Sequence, residues 1–129
     1  MNQEEKQLLI NRQVEKSHHM MDQAEEMMSL GHTDLAVNRY YYACFHIVQA
    51  LFLKKEIIVR THSGMISQFS QHFVKTGLVD MVYGRFFATM VQLRQKADYN
   101  SVADITEQDA RDIVDMTRSF IEKVESLIQ

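Results

Sequence analysis

The sequence predicts an all-α protein, an antiparallel up-and-down bundle of four long helices and one short helix that forms a single domain over residues 1–129. Its 129 residues include no Pro and only four Gly, whereas sandwiches and barrels need frequent turns built largely from such residues. Apolar side chains recur at spacings of three and four along most of the chain, which is the period of a helix face. The length suffices for one hydrophobic core.

The first two predicted helices differ in character, and the second is the central helix of the bundle. The first runs from Gln3 to Leu30 and ends at Gly31, a residue typical of helix C-termini. Thr33 or Asp34 is expected to cap the second, which continues to about Lys55. The second helix is apolar on nearly every side and is therefore predicted to be the most buried element. The inward stripe of the first helix is Ile10, Val14, Ser17, Met21, Ala24 and Met28.

The remaining helices follow an extended connection. A short third helix begins within 60–63 and ends at Thr76-Gly77, and a fourth runs from near Asp80 to about Tyr99. A loop is expected over 100–105, and 106–109 resembles a capping box with Asp109 in the usual position of Glu, at the start of the final helix. The inward stripe predicted for the fourth helix is Val82, Phe86, Met90, Leu93 and Ala97.

Cysteine content and the N-terminal sequence predict a cytoplasmic protein. The single Cys44 cannot form an intramolecular disulfide, which favours a reducing compartment. The N-terminus lacks the basic start and apolar run of a signal peptide. No segment approaches the roughly 20 apolar residues of a membrane span.

The net charge of −3 conceals a basic centre. Residues 31–100 contain four acidic and eight basic residues and carry +4, whereas residues 1–30 carry −3 and residues 101–129 carry −4. The basic stretch, which also contains four of the six His, could form an anion-binding surface. Alternatively, acidic and basic helices simply complement one another within the bundle.

Motifs for metal, nucleotide-loop and hydrolase chemistry are absent from the sequence. There is no Gly-rich phosphate loop, no paired-Cys site, no HExxH and no nucleophile elbow. Adjacent His18 and His19 diverge by about 100° on a helix and cannot both face one metal. We therefore expect no metal and no cofactor.

Arg39, Tyr42 and His46 form the first candidate constellation. Seven residues are nearly two turns, so Arg39 and His46 lie on one helix face about 10.5 Å apart along the axis, with Tyr42 between them. A cation, a phenol and an imidazole in a row could hold a phosphate and move a proton. Alternatively, Arg39 pairs with a buried acid, and His46 and the tyrosines form structural hydrogen bonds.

Arg94, Asp98 and Tyr99 form the second candidate constellation, at the end of the fourth helix. Arg94 and Asp98 are four residues apart and can form an ion pair. An interhelical pair between Arg39 and Asp98 is an alternative hypothesis, and it would explain why a charge is tolerated on the apolar second helix.

Five motifs carry a family resemblance. They are Asn38-Arg39-x-Tyr41-Tyr42-Ala43-x-Phe45-His46, Ala50-Leu51, Thr61-His62-Ser63-Gly64, Phe73-Val74-Lys75-Thr76-Gly77 and Leu93-Arg94-x-x-Ala97-Asp98-Tyr99. In this order they resemble the HEPN (higher eukaryote and prokaryote nucleotide-binding) domain family, in its small stand-alone prokaryotic branch. The resemblance implies a helical bundle that is commonly a homodimer, often paired as a toxin with a small nucleotidyltransferase.

The resemblance also implies a chemistry. Active members are metal-independent ribonucleases in which an Arg stabilises the phosphate and a His four to six residues later acts as general acid or base. The position matching that Arg is Arg94, and five residues later stands Tyr99 rather than His, so the motif is degenerate here. Tyr99 also matches a tyrosine that the partner modifies in some family pairs. The catalytic candidates are Arg94, Asp98, Tyr99, Arg39 and His46, and the candidates for nucleotide or RNA binding are Lys96, Tyr42, Arg39 and Arg94.

Two classes of function follow. The chain is either a nucleotide- or RNA-binding, toxin-like protein with ribonuclease-like features, or a non-catalytic helical module that acts through homodimerisation or partner binding. A homodimer is expected from the resemblance and from Phe87 and Val91, which lie off the predicted inward stripe of the fourth helix.

Overall fold

The computed structural model describes residues 1–99 and 106–129, with side chains described for residues 1–94, 106 and 108–129. Its helices are α1 (Gln3–Ser29), α2 (Thr33–Lys55), α3 (His62–Phe69), α4 (Met81–Tyr99) and α5 (Glu107–Ser126), with a π-helical turn at Ser70–Val74 that continues α3. The described ranges contain no strand. The predicted all-α bundle is confirmed; the loop expected over 100–105 lies outside the described residues.

Helix ends follow local sequence signals in most places. Thr106 accepts a hydrogen bond from the backbone N–H of Asp109 at 3.0 Å, and the Asp109 carboxylate accepts one from the Thr106 N–H, which confirms the predicted capping box. Gly31 takes the left-handed conformation after α1, with φ of +79°. There the His32 N–H donates to the Met27 carbonyl at 2.9 Å and the Gly31 N–H to Met28 at 3.1 Å, a Schellman ending.

The predicted cap of α2 is wrong. His32, not Thr33 or Asp34, occupies the N-cap position, and its side chain makes no capping hydrogen bond. The reason is the Schellman ending, which uses Gly31 and His32 to turn the chain, so that Thr33 is already the first helical residue. The connection between α1 and α2 is thus only three residues long.

Helices α1 and α2 form an antiparallel hairpin. Lys6, near the start of α1, pairs with Glu56 just after α2 at 3.5 Å, whereas Gln23, near the end of α1, contacts Arg39 at 2.9 Å. Midway, the buried Ser17 hydroxyl donates to the Ala43 carbonyl at 2.7 Å. This hydrogen bond pairs the buried hydroxyl, and the small size of the serine side chain lets the two helices approach closely.

An aromatic cluster joins α3, α4 and α5. Phe87 stacks on Phe120 with ring centroids 5.7 Å apart, and Phe69 lies 5.4 Å from Phe87. Such offset and tilted ring pairs add to the free energy gained from burying apolar surface. This cluster sets the rotation of α4 about its axis.

The rotation corrects the predicted stripe of α4. Phe87 and Val91 are buried, together with Met90, whereas Val82 is 39% exposed. Phe86 and Leu93 of the predicted stripe are half-buried against the core, with the Phe86 ring 5.6 Å from that of Phe120, so the stripe is correct in part and is shifted toward Phe87 and Val91. Phe87 and Val91 therefore offer no outward surface for a dimer. Ala97 lies outside the described side chains.

Gly84, within α4, marks a close approach between this helix and the preceding turn. A Cβ atom added there would lie 2.9 Å from Cγ2 of Val74, in the π-helical turn. The absent side chain lets α4 pack directly against this turn. Gly84 thereby positions the helix that carries Arg94.

Candidate functional site

One face of α2 is half-buried and carries most of the polar groups of that helix. We call it the polar face; its residues are Asn38, Arg39, Tyr42, Phe45, His46 and Gln49. Their spacings of three and four place them on one side of the helix. The opposite side is fully buried in the core, so α2 is two-sided rather than apolar all round.

Arg94 reaches the polar face from α4. Its Nη2 donates a hydrogen bond to the Tyr42 hydroxyl at 3.0 Å, and its Nη1 lies 3.3 Å from Nε2 of His62 at the start of α3. The guanidinium carbon also stands 5.5 Å from the ring centroids of both Tyr41 and Tyr42. Cation–π contacts of this kind favour Arg over Lys. A single side chain therefore connects three helices at the polar face.

These contacts fix the protonation pattern of His62. Arginine has only donors, so Nε2 of His62 must accept the hydrogen bond from Arg94. The ring proton of the neutral imidazole then sits on Nδ1, which donates to the Tyr41 hydroxyl at 3.2 Å. The His62 ring therefore bridges the Arg94 guanidinium and the Tyr41 hydroxyl.

His46 lies beside Tyr42 on the same face, with ring centroids 6.4 Å apart. Its Nδ1 donates to the Gln13 side-chain oxygen of α1 at 2.8 Å, which leaves the lone pair of the neutral ring on Nε2. Burial, assisted by the positive charge of Lys16, lowers the pKa of His46. A neutral imidazole with an unprotonated Nε2 is the form that can accept a proton.

Arg39 occupies the end of the polar face nearer the α1–α2 connection. Its Nε donates to the Gln23 side-chain oxygen at 2.9 Å and its Nη1 to the Asn38 side-chain oxygen at 2.6 Å. Both acceptors are amides, so the acid predicted as its structural partner is not found among the described side chains. The alternative pair with Asp98 lies outside them.

The structure thus brings together Tyr42, His46 and Arg94 from the predicted set. Arg39 shares their helix face but is anchored to α1 by its own hydrogen bond. The Lys96, Asp98 and Tyr99 side chains, and with them the predicted Arg94–Asp98 ion pair, lie outside the described residues.

His62 and Tyr41 are site residues that the sequence did not single out. The available signal was the Thr61-His62-Ser63-Gly64 motif. The Thr61 hydroxyl accepts from the Gly64 N–H at 2.9 Å and caps α3, which fixes His62 as the first helical residue. Nothing in the spacing links this residue to Arg94, which is 32 positions later.

Metal-ligating clusters and membrane-spanning helices are both missing from the described part of the chain. Over residues 1–94, 106 and 108–129, no three or more His, Cys, Asp and Glu side chains are grouped so that they could hold a metal ion. None of the helices in those ranges combines the length and apolar character needed to cross a membrane.

Comparisons with known proteins agree with this architecture. The sequence model of the HEPN domain matches residues 10–127. A UPF0332 protein of Thermotoga maritima is 33% identical over 97% of this chain and 95% of its own length. Two proteins of Methanocaldococcus jannaschii that carry the name putative toxin are 30% and 35% identical, over 89% and 73% of this chain and 78% and 69% of their own lengths. The match covers nearly the whole chain, and the protein belongs to the HEPN domain family.

Proposed function

We propose that this HEPN-family protein binds RNA through its phosphate groups, with Arg94 as the principal contact. The observation that carries the proposal is the placement of Arg94 on the half-buried polar face, oriented by Tyr42 and His62. Hydrogen bonds from the guanidinium to the Tyr42 hydroxyl and the His62 ring fix its orientation at this face. Guanidinium groups suit phosphate because they can donate two parallel hydrogen bonds to it.

The biological setting that we propose is a toxin-like protein of the cytoplasm, paired with a small nucleotidyltransferase. Two relatives are named as toxins, and the family resemblance implies the partner. An adjacent nucleotidyltransferase reading frame and co-purification of the two proteins would support this pairing, and a chain that stays separate from that protein on mixing would contradict it.

RNA cleavage without a metal is a further candidate, favoured by the state of His46. In this step Nε2 of His46 would take the proton of an RNA 2′-hydroxyl, whose oxygen attacks the adjacent phosphorus. The 5′-oxygen leaves and takes a proton from water, which gives a cyclic phosphate. Arg94 would stabilise the charge that develops on the phosphate oxygens. Tyr42 lies next to both side chains and would hold the phosphate between them.

Binding of labelled single-stranded RNA, measured by fluorescence anisotropy with EDTA present, tests the main proposal. We expect Arg94→Ala to weaken binding about tenfold or more, since hydrogen bonds to charged groups are worth roughly 1.5–3 kcal/mol. Arg85→Ala is the matched control, because Arg85 is an exposed arginine on the same helix. Equal losses in both variants would contradict a specific role for Arg94.

Incubation of the same proteins with the same RNA distinguishes ribonuclease activity from RNA binding alone and from a role in partner binding. Cleavage that persists in EDTA and disappears in His46→Ala would support the ribonuclease candidate, and RNA binding without cleavage would reject it. A chain that binds no RNA but binds its partner tightly would instead be the non-catalytic interaction module.

A homodimer is also part of the proposal. Leu78, Met81 and Val82 support it, because these apolar side chains are exposed around the start of α4. Light scattering at micromolar concentration should give twice the 15.1 kDa mass of one chain. A strictly monomeric species would contradict it.

A further inference from the structure

A small cavity opens beside the Arg94 site, and we infer that it holds one nucleobase of the bound RNA. This inference rests on the proposed RNA-binding function and goes further, because it assigns a place to the base as well as to the phosphate. The cavity has a volume of about 170 Å³ and lies between α2 and the start of α3. Its lining is Phe45, Gln49, Val59, Arg60, Thr61, His62 and Met65.

The size of the cavity limits what can enter. Sites for whole drug-sized ligands span roughly 300–1,000 Å³, so a cavity of about 170 Å³ admits one flat heterocycle but not a complete nucleotide. A base inserted there would leave its sugar and phosphate outside, at the level of the polar face.

The lining has the chemistry that a base requires. Phe45 offers a half-buried ring on which a base can stack, and Met65 and Val59 supply apolar contact. The Gln49 amide makes no hydrogen bond to any residue whose side chain the structure describes, and it carries both a donor and an acceptor for the edge of a base. The guanidinium of Arg60, which is exposed, can cover the outer face of the base by stacking.

His62 joins the cavity to the phosphate site. Its ring lines the cavity, and its Nε2 accepts the hydrogen bond from Arg94 at 3.3 Å. The base and phosphate subsites are therefore separated by one side chain. The two halves of a nucleotide could occupy them together, the phosphate at Arg94 and the base against Phe45.

Calorimetric titration of the full chain with adenosine, guanosine, cytidine and uridine 5′-monophosphates, and with ribose 5-phosphate, tests this assignment. We expect at least one of the four nucleotides to bind about 5- to 150-fold more tightly than ribose 5-phosphate, because stacking of one base is worth roughly 1–3 kcal/mol. Gln49→Leu should reduce this ratio or change which base is preferred. Gln71→Leu, at an exposed glutamine outside the cavity, should change neither.

The outcomes distinguish this inference from the proposed function. If ribose 5-phosphate binds as tightly as every nucleotide while Arg94→Ala abolishes binding, the base subsite is wrong and the phosphate site stands. If Arg94→Ala changes nothing, the proposed function itself fails. A second variant, Phe45→Leu, should lower the nucleotide preference in a chain whose circular dichroism is unchanged, and an unaltered preference would overturn the stacking role.

Discussion

The two sides of α2 differ in what they contribute to the molecule, since one packs in the hydrophobic core and the other presents polar groups. Residues of both kinds alternate along the same helix. The buried side, which includes Tyr41, Ile47 and Leu51, is almost inaccessible to solvent. The polar face, one or two positions away in sequence, contains hydrogen-bonding groups that meet α1 and α4. Tyr41 links the two sides, because its ring is buried while its hydroxyl contacts His62.

This contrast shows that a largely apolar composition does not by itself reveal the role of a central helix. Core residues supply the free energy of burial, and the stable helix then holds polar groups in fixed positions beside them. Stability should therefore respond mainly to substitutions on the buried side of α2, and RNA binding mainly to substitutions on the polar face.

The largest effect is expected from Leu51→Ala on the buried side. Leu51 is completely buried, and removing such a side chain costs about 2–5 kcal/mol of unfolding free energy. Gln49→Ala on the polar face should change stability by no more than about 0.5 kcal/mol. Urea denaturation followed by circular dichroism measures both. If the two variants lost similar amounts of unfolding free energy, both sides of α2 would contribute equally to stability, contrary to this prediction.

A smaller effect is expected from Tyr42→Phe, which keeps the ring and removes the hydroxyl that accepts from Arg94. Loss of this hydrogen bond should cost about 1 kcal/mol of stability and weaken RNA binding severalfold, because Arg94 is no longer held in place. Tyr83→Phe on α4 serves as the control, since no residue with a described side chain hydrogen-bonds the Tyr83 hydroxyl. Unchanged RNA binding in Tyr42→Phe would show that Arg94 does not depend on this contact.

The smallest effect concerns pH. Burial, with Lys16, lowers the pKa of His46 below its usual value of about 6.5, so the folded chain favours the neutral ring. Its contribution to stability is complete above about pH 6.5 and is lost as the pH falls toward the lowered pKa, because the unfolded chain takes up the proton first. His46→Gln should remove this part of the pH dependence.

The ring proton signals of His46 in NMR titration measure the same effect directly. Lys16→Gln should raise the pKa of His46, because one positive charge is removed from its surroundings. His72→Gln, at an exposed histidine of the π-helical turn, provides the comparison for stability. A His46 pKa that is insensitive to Lys16 would assign the whole shift to burial.

Local signals explain how much of the fold could be predicted. Gly31 and Thr106 set the ends of their helices through backbone conformation and capping, both of which operate within a few residues. The rotation of α4 could not be obtained in this way. Phe86 and Phe87 are both apolar and both contact Phe120 on α5, yet only Phe87 is fully buried, which depends on how the whole helix packs.

The candidate site likewise contains contacts that the sequence pattern could predict and contacts that it could not. Tyr42 and His46 lie on one helix, so their spacing was sufficient to bring them together in the prediction. The contact between His62 and Arg94 joins two helices across 32 positions, and it depends on how α3 and α4 pack. Close packing at Gly84 is one of the contacts that brings α4 into place. Tertiary packing of this kind is not encoded in any local pattern.

Cys44, on the buried side of α2, can report how often the hydrophobic core opens to solvent. It is the single cysteine of the chain, and it is completely buried at the centre of the bundle. Burial also raises the pKa of its thiol, so the reactive thiolate is suppressed while the fold is intact. A thiol reagent can therefore modify the native chain only as fast as α2 separates from its neighbours. The labelling rate would time the opening of the core without any engineered probe.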